Sequence, residues 1–270
     1  TLGNYRGRPV FIPGNHDWYN EGIIGLKRQE NYVENYLGRK DVFLPEDGCP
    51  IETLEISDDL LVILVDTEWY LTNWDKRPAI NDDCEIKNRD VFWEELGSEI
   101  KQHAGKTILL ATHHPMFSYG VHGGQYTFRQ QFYPYSGKIP LPILGTLVNL
   151  FRKTAGVSVE DMQNKRYLEL QKRLLTLARF GERVVLASGH EHTLQYIVSD
   201  GLPQIVSGSG AKKGATNQLG GSVFTTGQRG YAVLEVYEDG SSRVRYYGVD
   251  DAGNERFLFT SSVYSPQFEP

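Results

Sequence analysis

The sequence predicts an α/β fold with layered sheets, and three observations predict it. Short apolar strands alternate with helical segments through most of the chain, and strands alone follow. The run Leu60–Val65 is continuously apolar, the pattern of a strand buried on both faces. Three buried strands each empty into a histidine-bearing polar loop, which is where sites form in open α/β sheets.

Taken in chain order, residues 8–12 read as a short buried strand stopped by Pro13-Gly14. Residues 24–37 have helical spacing, with Leu26, Tyr32, Val33, Tyr36 and Leu37 as the expected apolar face. Residues 51–56 alternate and read as a half-buried strand, followed by the strand Leu60–Val65. Residues 67–89 are polar and irregular. Residues 91–102 form an amphipathic helix with Phe92, Leu96 and Ile100 on one side, and Thr107–Thr112 is another buried strand. Residues 113–145 show no period and are rich in Gly, Pro and aromatics, as functional loops are. Overlapping its end, Ile139-Pro140-Leu141-Pro142-Ile143-Leu144 with Leu147, Val148, Leu150 and Phe151 reads either as a packed helix start after Pro142 or as a lid or a membrane- or partner-facing patch, and is too short to span a bilayer. Residues 162–180 give the clearest helix, with Leu170, Leu174 and Leu177 in register. Arg183–Ser188 is a buried strand. Segments 194–198, 204–206, 231–237 and 242–247 are further strands, with Asp239-Gly240 marking a hairpin.

A chain of 270 residues buries a core without needing cross-links. Its net charge of −6 gives no electrostatic footprint for nucleic acid or an anionic membrane. No apolar run reaches the roughly 18 residues a membrane helix needs, so no transmembrane segment is expected in this chain. Two cysteines, Cys49 and Cys84, exclude a disulfide scaffold and a Cys-rich zinc module, and leave one bridge possible.

The three histidine loops carry the chemistry. Residues 10–12 lead to Gly14-Asn15-His16-Asp17, Thr107–Thr112 to His113-His114-Pro115, and Arg183–Ser188 to Gly189-His190-Glu191-His192. Imidazoles converging from three strand ends point to a metal centre, with zinc, iron or manganese as suitable ions. Asn15 can add a neutral oxygen. Gly189 is expected to permit a sharp turn that aims His190 and His192 the same way. There is no G-x-S-x-G elbow, and His190 lacks the helical partner of a zincin.

Gly14-Asn15-His16-Asp17, His113-x-Pro115 and Gly189-His190-x-His192, in that order, resemble the last three signatures of the calcineurin-like metallophosphoesterases. The context from His113-His114-Pro115-Met116-Phe117-Ser118 to His122-Gly123, Ser188 to Tyr196, and the turn Ser207-Gly208-Ser209-Gly210 resemble the tartrate-resistant purple acid phosphatases. The resemblance implies a layered sandwich of two mixed β-sheets flanked by helices. One metallophosphoesterase domain would then cover residues 1–270, with a loop or helix insertion at about 124–160.

It also implies phosphomonoester hydrolysis by a hydroxide bridging two metal ions, which would be Fe, Zn or Mn. Asn15, His113 and His190 would bind one ion and His192 the other. His16 would be the general acid that protonates the leaving group. Asp17 would either orient His16 or cap the helix that follows. His122 would face the substrate or be an ordinary loop residue, and Asp66 would be structural. The expected substrate is a phosphorylated small molecule or a phosphoprotein, not nucleic acid. The expected location is extracytoplasmic.

The family's two earlier signatures, Asp-x-His and Gly-Asp, occur nowhere in the chain. Together with the first residue, Thr1, this predicts that the chain is the later part of a phosphoesterase whose opening strands are missing. By itself it would bind at most one ion and be inactive. The alternative is a non-catalytic, phosphatase-like binding or structural module.

Overall fold

The computed structural model describes residues 5–77, 79–124 and 158–266. Among the described residues, ten strands form two sheets. The larger contains β1 (Ile51–Ser57), β2 (Leu60–Val65), β3 (Thr107–Thr112), β4 (Arg183–Ser188), β5 (Leu194–Ser199), β6 (Leu202–Ser207) and β7 (Ser222–Thr226), in the order β1-β2-β3-β4-β6-β5-β7. The smaller contains β8 (Gly230–Val236), β9 (Ser242–Val249) and β10 (Glu255–Tyr264), in the order β10-β9-β8. The larger sheet is mixed: β2, β3, β4 and β6 run parallel, while β1, β5 and β7 pair antiparallel. Both seams of the smaller sheet are antiparallel.

Helices α3 (Thr67–Leu71), α4 (Arg89–Gln102) and α5 (Lys165–Ala178) follow strands or lead into them, and α1 (Asn15–Tyr19) and α2 (Ile23–Leu37) precede the sheet. Alternation along the central strands sorts the core into layers. Leu61, Ile63 and Val65 of β2, Ile108 and Leu110 of β3, and Val184 and Leu186 of β4 pack with Phe92, Leu96, Ile100, Leu170 and Leu174 of the helices. On the opposite face, Val185, Leu194, Tyr196 and Ile205 meet Val244 and Tyr246 of the smaller sheet. The central strands are therefore covered on both faces, which is why their sequences are continuously apolar.

Register positions the site. Val65 lies opposite Thr112, and Thr112 opposite Ser188, so β2, β3 and β4 end level. The backbone pairing continues one residue further, where Gly189 N–H donates to the His113 carbonyl at 3.1 Å. The residues that follow these strands are thus delivered side by side.

Several expectations are corrected. Residues 8–12 make a single bridge, Phe11 to Phe43, rather than a strand. Pro9 and Pro13 remove the donors on either side, and Val10 and Ile12 are only half-buried against Leu44, Leu64 and Ala111. Tyr32 and Tyr36 do not belong to the buried face of α2; they are 70% and 75% exposed and stack on each other. Leu26 and the carboxylate of Glu34, paired with Lys40, occupy the inner side instead. The irregular stretch 67–89 contains α3, too short to show a period. Strands β7 and β10 carry no clean alternation, β10 because two bulges interrupt its pairing. The clearest helix starts at Lys165 rather than 162, where the Asn164 side chain accepts the Arg166 N–H at 3.0 Å. The 124–160 insertion and the apolar stretch 139–151 lie almost wholly outside the described residues.

Asp66 is structural, as expected. It is fully buried at the end of β2 and caps α3 by accepting the N–H groups of Glu68 (2.9 Å) and Trp69 (3.1 Å), and it also accepts Trp18 Nε1–H at 2.8 Å. Cys49 and Cys84 form a disulfide that closes a loop of 35 residues and ties the segment before β1 to the one before α4. In the chain-entropy picture such a closure stabilises by roughly 2–4 kcal/mol. Replacing both cysteines with alanine is expected to cost about that much in urea unfolding. An unchanged midpoint would show that the bridge adds nothing.

Burial raises the Glu68 carboxyl to about 8, with the charge of Asp66 adding to the effect. The folded state therefore holds a proton that the unfolded chain releases near 4.5. This contribution is complete below pH 4.5 and is lost as pH rises toward 8. Glu68→Gln removes the loss. Its stability relative to the parent is expected to grow between pH 5 and pH 8, by at most about 1.4 kcal/mol per pH unit. A pH-independent difference in denaturant unfolding would contradict this.

Candidate metal centre

At the level ends of β3 and β4 lies a cavity of about 300 Å³. Its wall carries Asn15, His113, His122 and His190, and the more exposed His16 and His192 lie on it as well. The four metal candidates, the substrate-side candidate His122 and the general-acid candidate His16 are therefore brought to one place. Larger clefts, of about 440 and 730 Å³, carry no histidine.

Three donor atoms converge. His113 Nε2 lies 2.9 Å from Asn15 Oδ1 and 3.2 Å from His190 Nδ1. The His113 nitrogen carries at most one proton, so it cannot donate to both neighbours. A cation among the three lone pairs satisfies all of them at once. The residues present thus fit one metal ion, with two imidazoles and a neutral amide oxygen as donors. Burial, reinforced by neighbouring imidazoles, lowers His113 to about 4 and His190 to about 2. Both rings are therefore neutral near pH 7, the form that binds metal.

Local structure explains each position. Asn15 is buried as the first residue of α1. Its Nδ2–H donates to the Tyr19 hydroxyl at 2.5 Å, one turn on, which leaves Oδ1 to face His113. Tyr19 in turn donates to the Glu160 carboxylate. Gly14 is required by close approach: a Cβ there would sit 2.5 Å from the His113 ring. Asp17 caps the start of α1. Its carboxylate accepts the Gly14 N–H at 2.7 Å, so the capping reading holds, because the first turn of α1 leaves that donor otherwise unpaired. The sharp turn before His192 is made by His190 itself, with φ +60°, and not by Gly189. A non-glycine residue in that region is held there by its surroundings.

Those surroundings are buried polar side chains. Glu191, only 2% exposed, accepts Ser118 Oγ–H (2.9 Å) and the N–H groups of Val121 (3.1 Å) and His122 (3.0 Å). This sets the His122 ring 4.1 Å from that of His190. Gln204 accepts the N–H groups of Met116 (2.8 Å) and Phe117 (2.9 Å), and Gln195 accepts that of Tyr119 (2.9 Å). Tyr167 of α5 donates to the Pro115 carbonyl at 2.6 Å. Gly208 lets the turn after β6 approach, since a Cβ there would lie 2.1 Å from the Glu191 carbonyl oxygen. His114 is fully buried behind the site, hydrogen-bonded to Thr67 Oγ1 at 2.7 Å, and burial keeps it neutral.

Sequence reasoning missed Glu160, Tyr19, Glu191, Gln195 and Gln204. The two glutamines had a signal, a polar side chain inside an apolar strand. Glu160 and Tyr19 had none, since 141 positions separate them.

Comparison with known proteins follows the same lines. The family profile of the calcineurin-like phosphoesterases matches residues 2–194. The chain belongs to this family. No match was found among curated proteins.

Among solved structures, GAP50, described as the anchor in the inner membrane complex of Plasmodium, is 18% identical with a TM-score of 0.53. The match covers 94% of this chain and 65% of that one, and it shows a shared fold. The purple acid phosphatase PPD1 from yellow lupin (Lupinus luteus) seeds is 13% identical over 94% of this chain and 39% of that one, with a TM-score of 0.49. PhoD is 11% identical over 81% of this chain and 44% of that one, with a TM-score of 0.49. The chain thus spans less than two thirds of the length of each.

The Gly14 contact gives a direct test. Gly14→Ala is expected to displace the His113 ring and weaken zinc binding by at least about tenfold, on the scale of other losses of ligand support. Competition with a chromophoric chelator measures this. An unchanged affinity would contradict the packing argument.

Proposed function

We propose that this chain carries the later part of a metal-dependent phosphoesterase that hydrolyses phosphomonoesters. The observation that carries the reading is the convergence of Asn15 Oδ1, His113 Nε2 and His190 Nδ1 within 2.9–3.2 Å along the chain of contacts, with His16 and His192 on the same cavity. No lysine or arginine lines that cavity among the described residues. A phosphate dianion there needs positive charge from another source, which supports a bound cation. Bound metal would polarise the phosphoryl group and activate the attacking water.

The proposed roles of the chain's own residues are supported by their sharing one cavity. Asn15, His113 and His190 hold one ion, and His192 is placed to serve a second. His16, exposed at the rim, donates a proton to the departing alkoxide as general acid. His122 lines the same cavity. The family's carboxylate signatures, Asp-x-His and Gly-Asp, are absent from this chain. The substrate is a phosphorylated small molecule or phosphoprotein. The Cys49–Cys84 disulfide supports an extracytoplasmic location, because such bonds persist in oxidising compartments.

A second reading, a non-catalytic phosphatase-like module, is favoured by one observation, the missing carboxylate signatures. GAP50, with the same fold, is described as an anchor.

Hydrolysis by the full protein, with zinc, iron or manganese supplied, separates the two. His16→Ala is expected to lower kcat roughly 10²–10⁴-fold on an alkyl phosphate. The loss on p-nitrophenyl phosphate is expected to be smaller, since its leaving group needs no proton, and metal content is expected to stay unchanged. A parent protein with no metal-dependent hydrolysis would favour the non-catalytic reading.

A further inference from the structure

A second donor set lies beside the first. His122, Glu160 and His190 each place a ligand atom within 4.8 Å of the other two. His190 can serve both sets only as an imidazolate, with its ring N–H given up to solvent on binding of the second ion. Its Nδ1 faces His113, while its Nε2 is buried with no hydrogen-bond partner of good geometry among the described residues, and the ring lies against the Glu160 backbone. His122 Nδ1 is likewise buried and without a hydrogen-bond partner among the described residues. Two orphaned imidazole nitrogens beside a carboxylate are costly unless something binds them.

The set is also held in place. The His122 N–H donates to Glu191 at 3.0 Å, and the His122 carbonyl accepts the Met162 N–H at 3.3 Å, two residues from Glu160. The loop after β3 and the loop before α5 are thereby stitched together at the cavity. Glu160 also receives the Tyr19 hydroxyl, which links it to Asn15 in the first set.

We propose that His122, Glu160 and His190 Nε2 form a further site for a divalent cation, with the His190 ring bridging this ion and the one at Asn15 and His113 as an imidazolate whose ring proton is released to solvent when the second ion binds. Two imidazoles and one carboxylate are a donor set typical of zinc sites that keep an open position. Glu160 then supplies an anionic ligand that the family's earlier signatures would provide elsewhere, and this chain binds more than the single ion its sequence predicts. The proposal leaves the assignment of Asn15 and His113 untouched and does not require phosphatase activity.

Metal counting on the full protein tests it. The chelator-stripped protein is dialysed against zinc and the bound metal is measured per chain. Glu160→Ala, Glu160→Gln and His122→Ala are each expected to bind one ion fewer than the parent. Combining Glu160→Ala with His122→Ala is expected to remove no more than either alone. His192→Ala is expected to keep this ion, and Asn15→Ala with His113→Ala to lose a different one. Thermal melts of the stripped variants check folding. Glu160 and His122 variants that retain the parent's count overturn the proposal. So does a Glu160 variant that keeps every ion but holds the Asn15–His113 ion 10–100-fold more weakly, which is the signature of a group that only orients a ligand.

Discussion

The structure depends on the level register of three parallel strands. Because Val65, Thr112 and Ser188 stand abreast, the chain leaves β2, β3 and β4 at one edge and places Asp66, His113 and Gly189 in a row. A slip of one residue in β4 would turn its side chains to the opposite faces and carry His190 away from His113. Register is fixed in turn by burial on both faces, since each strand has one set of side chains among the helices and another against the opposite layer. The site is a consequence of how the core packs.

Buried polar groups finish what register begins. Histidine is not enough by itself, because a loop ring can point in many directions. Glu191, Gln195 and Gln204 pin residues 116–122 through backbone N–H groups, and α5 adds Tyr167. Tyr19 fixes the Asn15 amide so that its oxygen faces His113. The left-handed backbone at His190 is tolerated within this frame. Each of these groups would be costly to bury unpaired, so together they make the loop conformation nearly all-or-none. This is the pre-organisation a metal site needs, with donors already aimed before an ion arrives.

How much of this could be read from the sequence follows the range of the interactions. Strands β2, β3 and β4 were legible to the residue, because burial on both faces writes a continuous apolar run. His113 and His190 stand directly after β3 and β4, a local pattern, whereas Asn15 follows a segment that makes only a single bridge and was legible through its motif alone. Tyr32 and Tyr36 misled, since their helical spacing marks a face without saying that it is buried. The turn at His190 was assigned to Gly189 because glycine is the usual bearer of positive φ, and here the tertiary frame overrode that preference. The Asp17 cap was one of two local readings, and only the Gly14 contact decides between them. Glu160 could not be found, since its role exists only through contacts with Tyr19, His122 and His190 that lie far apart in the chain.

The most direct test of the account is anomalous diffraction at the zinc edge from crystals of the protein soaked in zinc. The account predicts a peak within coordination distance of Asn15 Oδ1, His113 Nε2 and His190 Nδ1 together. Density that avoids these three atoms, or no anomalous peak at the ends of β3 and β4, would contradict it.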